Sequence, residues 1–186
     1  MAAAHGHAGD NCSMRYFLPA AALAVFSILQ GCSPTLNWRD VRIDQTPLLA
    51  LLPCKPDRGA REVSLGAQEV TISMLGCGAG GATFTVAYAD VKDVANVGAV
   101  LGQWKAATLA SMRTRSSSEL PYAIKGASTW PQPVQVRAEG VRPDGTAVVA
   151  QAVWFVVGSK VFQAVMYTDK VSPVVAETYF AGLRLQ

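Results

Sequence analysis

Apolar and polar residues alternate with a period of two over most of this chain from residue 61 onward, and the period lengthens to that of a helix in two places. Arg61 to Leu65, Glu69 to Leu75 and Thr83 to Ala89 are rich in Val, Thr, Ile, Tyr or Phe. Gly-Ala-Gln or a glycine-rich turn separates them, which predicts an antiparallel meander. Val134 to Glu139 alternates and leads through the turn signature Arg142-Pro143-Asp144-Gly145 into Thr146 to Val157. Gly158-Ser159 then parts that strand from Lys160 to Tyr167, giving a hairpin. In the last strand Val161, Gln163, Val165 and Tyr167 share one face, and Phe162, Ala164 and Met166 share the other.

The helical period runs from Ala95 to Met112, where Val97, Val100, Leu101, Trp104, Leu109 and Met112 recur at spacings of one or three, with one step of five. Trp104 falls on the apolar face and is expected in the core. Arg113-Thr114-Arg115 closes the helix, placing cations near the negative end of its dipole. A shorter helix is predicted over Val174 to Leu183, with Val175, Tyr179 and Leu183 on one side.

The remaining segments carry weaker signals. Trp38 to Ile43 alternates and suits an edge strand, with Arg39, Val41 and Ile43 on one face. Leu48 to Pro53 is either a short buried strand or a helical turn, and the pattern does not separate the two. Pro53 to Gly59 reads as a surface turn. Ser116 to Pro121 and Thr129 to Pro133 bracket a long irregular connection of the kind that often carries function. Within it Tyr122 and Trp130 are the candidate contact surface, with packing over the sheet edge as the competing role. The expected fold class is α+β: an antiparallel sheet packed by one long and one short C-terminal helix, preceded by a signal-peptide helix.

That leading helix is read from Phe17 to Leu29, an apolar run of about 13 residues, too short for a bilayer core that needs about 20 but suited to an export signal. It ends in Leu29-Gln30-Gly31-Cys32, which resembles the lipobox of bacterial lipoproteins. The resemblance implies removal of the signal and lipidation of Cys32. Met14-Arg15 looks like the natural start, so the expected organisation is an extension or mis-assigned start over 1–13, a signal peptide over 14–31, a tether over 32–37 and one domain over 38–186. His5 and His7 both fall in the extension, where two ligands on a tail make a poor metal site.

The chain from Cys32 onward therefore holds no histidine, which removes Ser-His-Asp and Cys-His chemistry and the commonest metal ligand. No cofactor or metal is expected. The net charge of +3 is unchanged by loss of the signal, since Arg15 and Asp10 leave together. Its cations are scattered, so no nucleic-acid partner is expected. Gly76-Cys77-Gly78-Ala79-Gly80-Gly81 is no phosphate loop, because no Lys-Ser/Thr follows and a strand comes next. Of the four cysteines, Cys54 and Cys77 remain for the folded domain. In an oxidising compartment a disulfide between them is the simplest state. Two free thiols are the main alternative, and a redox or metal pair lacks a C-x-x-C spacing.

Together the meander, the long helix, the hairpin from Val153 to Tyr167 and the ending Ala176 to Leu185 resemble the PsbP-like α/β/α sandwich of small exported proteins, with Gly182 where that group carries serine. The N-terminal half, with Cys32-Ser33-Pro34, Asn37-Trp38-Arg39 and Leu52-Pro53-Cys54-Lys55-Pro56, resembles a set of uncharacterised proteobacterial lipoproteins. No catalytic residue carries over from either likeness. Ser33 after the cysteine, in place of aspartate, resembles the outer-membrane sorting pattern.

The function expected from these features is a lipid-anchored cell-envelope protein, facing the periplasm and binding an envelope protein partner rather than catalysing a reaction. The alternative is a periplasmic small-ligand carrier or sensor, using a pocket lined by Trp104, Trp154 and Tyr167. An enzyme working through Asp90, Asp93 and Asp144 is the weakest expectation, because the first two suit the start of the long helix.

Overall fold

A computed structural model describes residues 35–65 and 68–186. The extension, the signal segment, Cys32, Ser33 and Pro34 lie outside the described residues, as do residues 66–67.

The alternating segments form one seven-stranded antiparallel sheet. In spatial order it runs β3 (Asp57–Leu65), β4 (Gln68–Ala79), β5 (Ala82–Asp90), β9 (Lys160–Thr168), β8 (Ala147–Val157), β7 (Val134–Val141) and β6 (Ser116–Pro121). Local hairpins build β3-β4-β5 and β6-β7-β8-β9. Helix α1 (Val97–Ser111) carries the chain from β5 to the far edge at β6, and β9 returns to pair with β5 from Ala82↔Thr168 to Asp90↔Lys160. The β4–β5 turn needs two residues at positive φ, and glycine supplies both at Gly80 (φ 59°) and Gly81 (φ 75°).

Both faces of the sheet are covered. On one, Val100, Leu101 and Trp104 of α1 pack over Val136, Trp154, Val161 and Val165. On the other lies a three-stranded antiparallel sheet of β1 (Arg39–Arg42), β2 (Leu48–Leu52) and β10 (Arg184–Leu185), in the order β1-β2-β10, together with helix α2 (Pro173–Ala181). That second core holds Leu48, Leu52, Phe84, Phe155, Phe162 and Tyr179. Phe155 and Phe162 stack at 4.9 Å between centroids, and Phe84 meets Tyr179 edge-on at 5.2 Å. Burial of each such ring contributes about 1.5–3 kcal/mol. The two alternating sets of β9 divide between the two cores as the period of two requires, Val161 and Val165 on one side, Phe162, Ala164 and Met166 on the other.

The fold class needs correction. The chain is mostly β, two antiparallel sheets of three and seven strands with two helices, and not a helix-packed α+β sandwich of the PsbP-like kind. The physical reason lies in the second layer. Leu48–Leu52 is a strand with alternating burial, and it pairs with β1 on one side and with the C-terminal β10 on the other. A sheet thus does much of the covering that the helical pattern assigns to helices. Strand content also spreads into segments expected to be turns: Asp57 to Gly59 belongs to β3, Gly76 to Ala79 to β4, and Ser116 to Pro121 pairs with β7 from Ser116↔Glu139 to Pro121↔Val134. The C-terminal helix stops at Ala181 so that Arg184 and Leu185 can extend.

Candidate contact surface

The connection from β6 to β7 is irregular over residues 122–133 and is tied to the body at several points. The Tyr122 amide donates to the Pro133 carbonyl (3.0 Å), and the Ser128 amide to that of Val156 (2.7 Å) on β8. Tyr122, Ile124 and Ala127 pack on the second core. These bonds fix a surface loop that has few internal ladder bonds of its own.

The two predicted contact residues have separate fates. Tyr122 is half-buried, and its phenol donates to the Phe180 carbonyl oxygen at 2.7 Å. Burial pushes its pKa up to about 12, so the phenol stays a donor. Trp130 is 85% exposed, the most exposed large apolar side chain among the described residues. The peptide bond between Trp130 and Pro131 is cis. A hollow of about 480 Å³ runs along the same loop, lined by Tyr122, Lys125, Ser128, Thr129 and Gln132. Trp130 stands outside it, so the loop offers one projecting indole beside a shallow, largely apolar hollow.

Cys54 and Cys77 are joined by a disulfide with Cα atoms 6.0 Å apart. The bond ties the segment after β2 to β4, and so the small sheet to the large one.

Trp104, Trp154 and Tyr167 do not line one cavity. Trp104 borders a cleft of about 200 Å³ with Ile72, Ala87 and Gln163, smaller than the roughly 300–1,000 Å³ of most ligand sites. Trp154 is fully buried and its indole nitrogen has no hydrogen-bond partner among the described residues. Tyr167 faces a different hollow, with Thr83 and Met112.

Each of the three carboxylates with a conceivable acid-base role is engaged in local structure. The Asp90 carboxylate is paired with Lys160 and accepts from the Ser159 hydroxyl (2.7 Å), contacts that hold it below the usual range. Asp93 accepts from the Ala95 amide and the Asn96 side-chain amide, both at 3.0 Å, capping a 3-10 turn before α1. Asp144 accepts from the amide (2.9 Å) and hydroxyl (2.7 Å) of Thr146, which lowers its pKa in the β7–β8 turn. Among the described residues no group of three or more His, Cys, Asp or Glu side chains could hold a metal ion, and no helix is long and apolar enough to cross a membrane.

Two features escaped the sequence. One is a groove of about 340 Å³ beside edge strand β3, where Arg58 pairs with Asp44 at 3.2 Å and Met74 is 44% exposed near Tyr88. No periodicity signals a groove between segments this far apart. The other is Gln163, 7% exposed, whose side-chain amide donates to the Thr108 hydroxyl (2.9 Å), which in turn donates to the Trp104 carbonyl (2.9 Å). A lone amide inside an otherwise apolar strand was the available signal.

No protein-family model matches this chain, and no curated protein does. Among solved structures, the crystal structure of PA94, a Pseudomonas aeruginosa protein of unknown function, is similar at a TM-score of 0.35 and 13% identity. The alignment covers 74% of this chain and 84% of that one. A likeness of that size carries no argument about fold or function.

Proposed function

We propose that this chain is a lipid-anchored protein of the cell envelope, attached through Cys32, facing the periplasm from the outer membrane, and that it binds a protein partner through the loop bearing Trp130. The observation that carries the binding half is the 85% exposure of Trp130 on a loop pinned by Tyr122 and Ser128. Tryptophan is enriched among residues that dominate protein interfaces, and here it projects from a pinned loop beside an apolar hollow. Because the loop is already ordered, little conformational entropy opposes docking. The lipobox-like Leu29 to Cys32 supports the anchor, and Ser33 supports sorting to the outer membrane.

The test is a photo-crosslinking amino acid at position 130 in the lipidated protein within intact envelopes, with the same group at exposed Val174 on α2 as control. A discrete adduct at 130 and none at 174 supports the reading. No adduct at 130, in protein whose mass carries the acyl chains, overturns the partner role. Fractionation beside a Ser33→Asp variant tests the sorting: an inner-membrane position for both refutes it.

A further inference from the structure

The seven-stranded sheet has two ends, and they differ in charge and in chain connection. At the Gly80 end, the described chain begins: a Cβ on Gly80 would stand 3.1 Å from Leu36 Cδ2, and the Asn37 amide donates to the Pro53 carbonyl at 2.8 Å. The register puts Thr168, Val149, Ala147, Val141 and Ser116 near this same end. At the other end lie Asp90, Lys160, Gly158 and the Trp130 loop, fixed there by the Ser128 bond to Val156. The nine residues of β5 alone separate the two ends by about 30 Å.

Lys55, Arg113, Arg115 and Lys170 are exposed at the Gly80 end, and none has an ion-pair partner among the described residues. Nearby, Arg142 pairs with Asp169 at 2.6 Å and Arg137 with Glu139 at 3.5 Å, leaving Asp57 and Asp144 as the opposing charges. At the far end Lys160 is neutralised by Asp90, and the exposed Arg61, Lys92 and Lys125 are matched in number by the exposed Glu62, Glu69 and Asp93, so that end carries no surplus of cations.

We infer that the Gly80 end is a docking face for an anionic phospholipid surface, and that the domain stands end-on with Trp130 directed away from the bilayer. This rests on the lipid anchor proposed above. Three residues of chain from Cys32 to Thr35 reach at most about 11 Å whatever their path, so acyl chains on Cys32 cannot lie at the Trp130 end. A lipid chain combined with a basic patch is the pairing that gives stable, oriented attachment, and cations act within about a Debye length of the headgroups. The partner of the Trp130 loop is then met in the aqueous compartment.

The test uses the full lipidated protein in vesicles of phosphatidylcholine, with and without phosphatidylglycerol. A bimane is placed by Pro143→Cys or Ser116→Cys at one end and by Lys125→Cys at the other, and a headgroup-spin-labelled lipid serves as quencher. The two labels at the Gly80 end should be quenched more strongly than the label at 125, and the difference should grow with phosphatidylglycerol. Reversing Lys55 and Lys170 to glutamate should reduce the orientation preference by about five-fold or more per site. Equal quenching at both ends, or stronger quenching at 125, in protein whose mass carries the acyl chains overturns the inference while the anchor stands. A mass without acyl chains removes the anchor and the inference with it.

Discussion

The Tyr122 hydroxyl donates to the carbonyl oxygen of Phe180 across 2.7 Å, joining the β6–β7 loop to the last turn of α2. The same carbonyl accepts from the Leu183 amide (3.2 Å), so the phenol takes its second acceptor site and the helix end fixes the loop. Tyr122→Phe should cost about 1 kcal/mol and lower the melting temperature by about 2–4 °C. Hydrogen exchange should quicken at the amides of 122–133 before it does elsewhere. Unchanged exchange there would mean that the bond does not order the loop.

The same phenol makes a prediction about alkaline pH. Burial raises Tyr122 to about 12 and raises Tyr167 and Tyr179 as well. An unfolded tyrosine ionises near pH 10, so the folded chain holds these protons more tightly. Their contribution to stability is complete below about pH 10 and is lost as pH rises toward the folded values. Urea midpoints followed from neutral pH upward should fall in that window, and less steeply for Tyr122→Phe. A flat profile would contradict the burial.

Removing the disulfide should destabilise the domain more than the loss of any single hydrogen bond. Its partners are 23 residues apart in sequence, and closing a loop of that size is worth about 3 kcal/mol in the chain-entropy treatment. Cys54→Ala with Cys77→Ala, compared with wild type by urea unfolding, should show a lower midpoint, and dithiothreitol should lower the wild type to meet it. Identical midpoints would place the constraint elsewhere.

Gly182 tests the contact between α2 and the small sheet. A Cβ there would overlap Leu51 Cβ and press on the Leu51 amide nitrogen at 3.3 Å. Gly182→Ala should therefore destabilise by about 1–3 kcal/mol, an overpacking cost. Leu51→Ala should not rescue it, since alanine keeps the clashing atom. Rescue by that second change would show that the leucine's outer methyls, not the backbone approach, set the spacing.

Trp130→Ala should leave stability within about 0.5 kcal/mol, because the ring is in solvent. It should nevertheless remove most of the tryptophan fluorescence that acrylamide quenches readily. A large fall in the unfolding midpoint would mean that the ring packs in solution.

Where one face of an element meets a core and the other meets water or a second core, the pattern of residues was sufficient. Val161 to Tyr167 showed both of its faces, and the spacing of Val97, Val100, Leu101 and Trp104 located α1 to within a turn. The pattern was silent where burial was uniform. Ser116 to Pro121 is exposed at all six positions, so it carries no alternation although it is paired along its length. Leu48 to Leu52 is apolar throughout, and it is a strand because it pairs with β1 on one edge and, on the other, with Leu185 and Arg184. The second pairing joins opposite ends of the chain, and a local window cannot contain it. The candidate surface was half legible: a tryptophan before proline in a loop was visible, but the Phe180 carbonyl that draws Tyr122 inward was not.

The β5–β9 ladder is a seam. On either side of it, neighbouring strands are neighbours in sequence and can form by quick, local steps. The seam itself must wait for both blocks, because Ala82 finds Thr168 only across the whole of α1, β6, β7 and β8. Closing it carries a loop-entropy cost that none of the hairpins on either side bears, which makes the joining of the two blocks slower than their own formation. Until it closes, each block exposes an unpaired strand at what will become the centre of the sheet, the period when the chain is most open to mispairing.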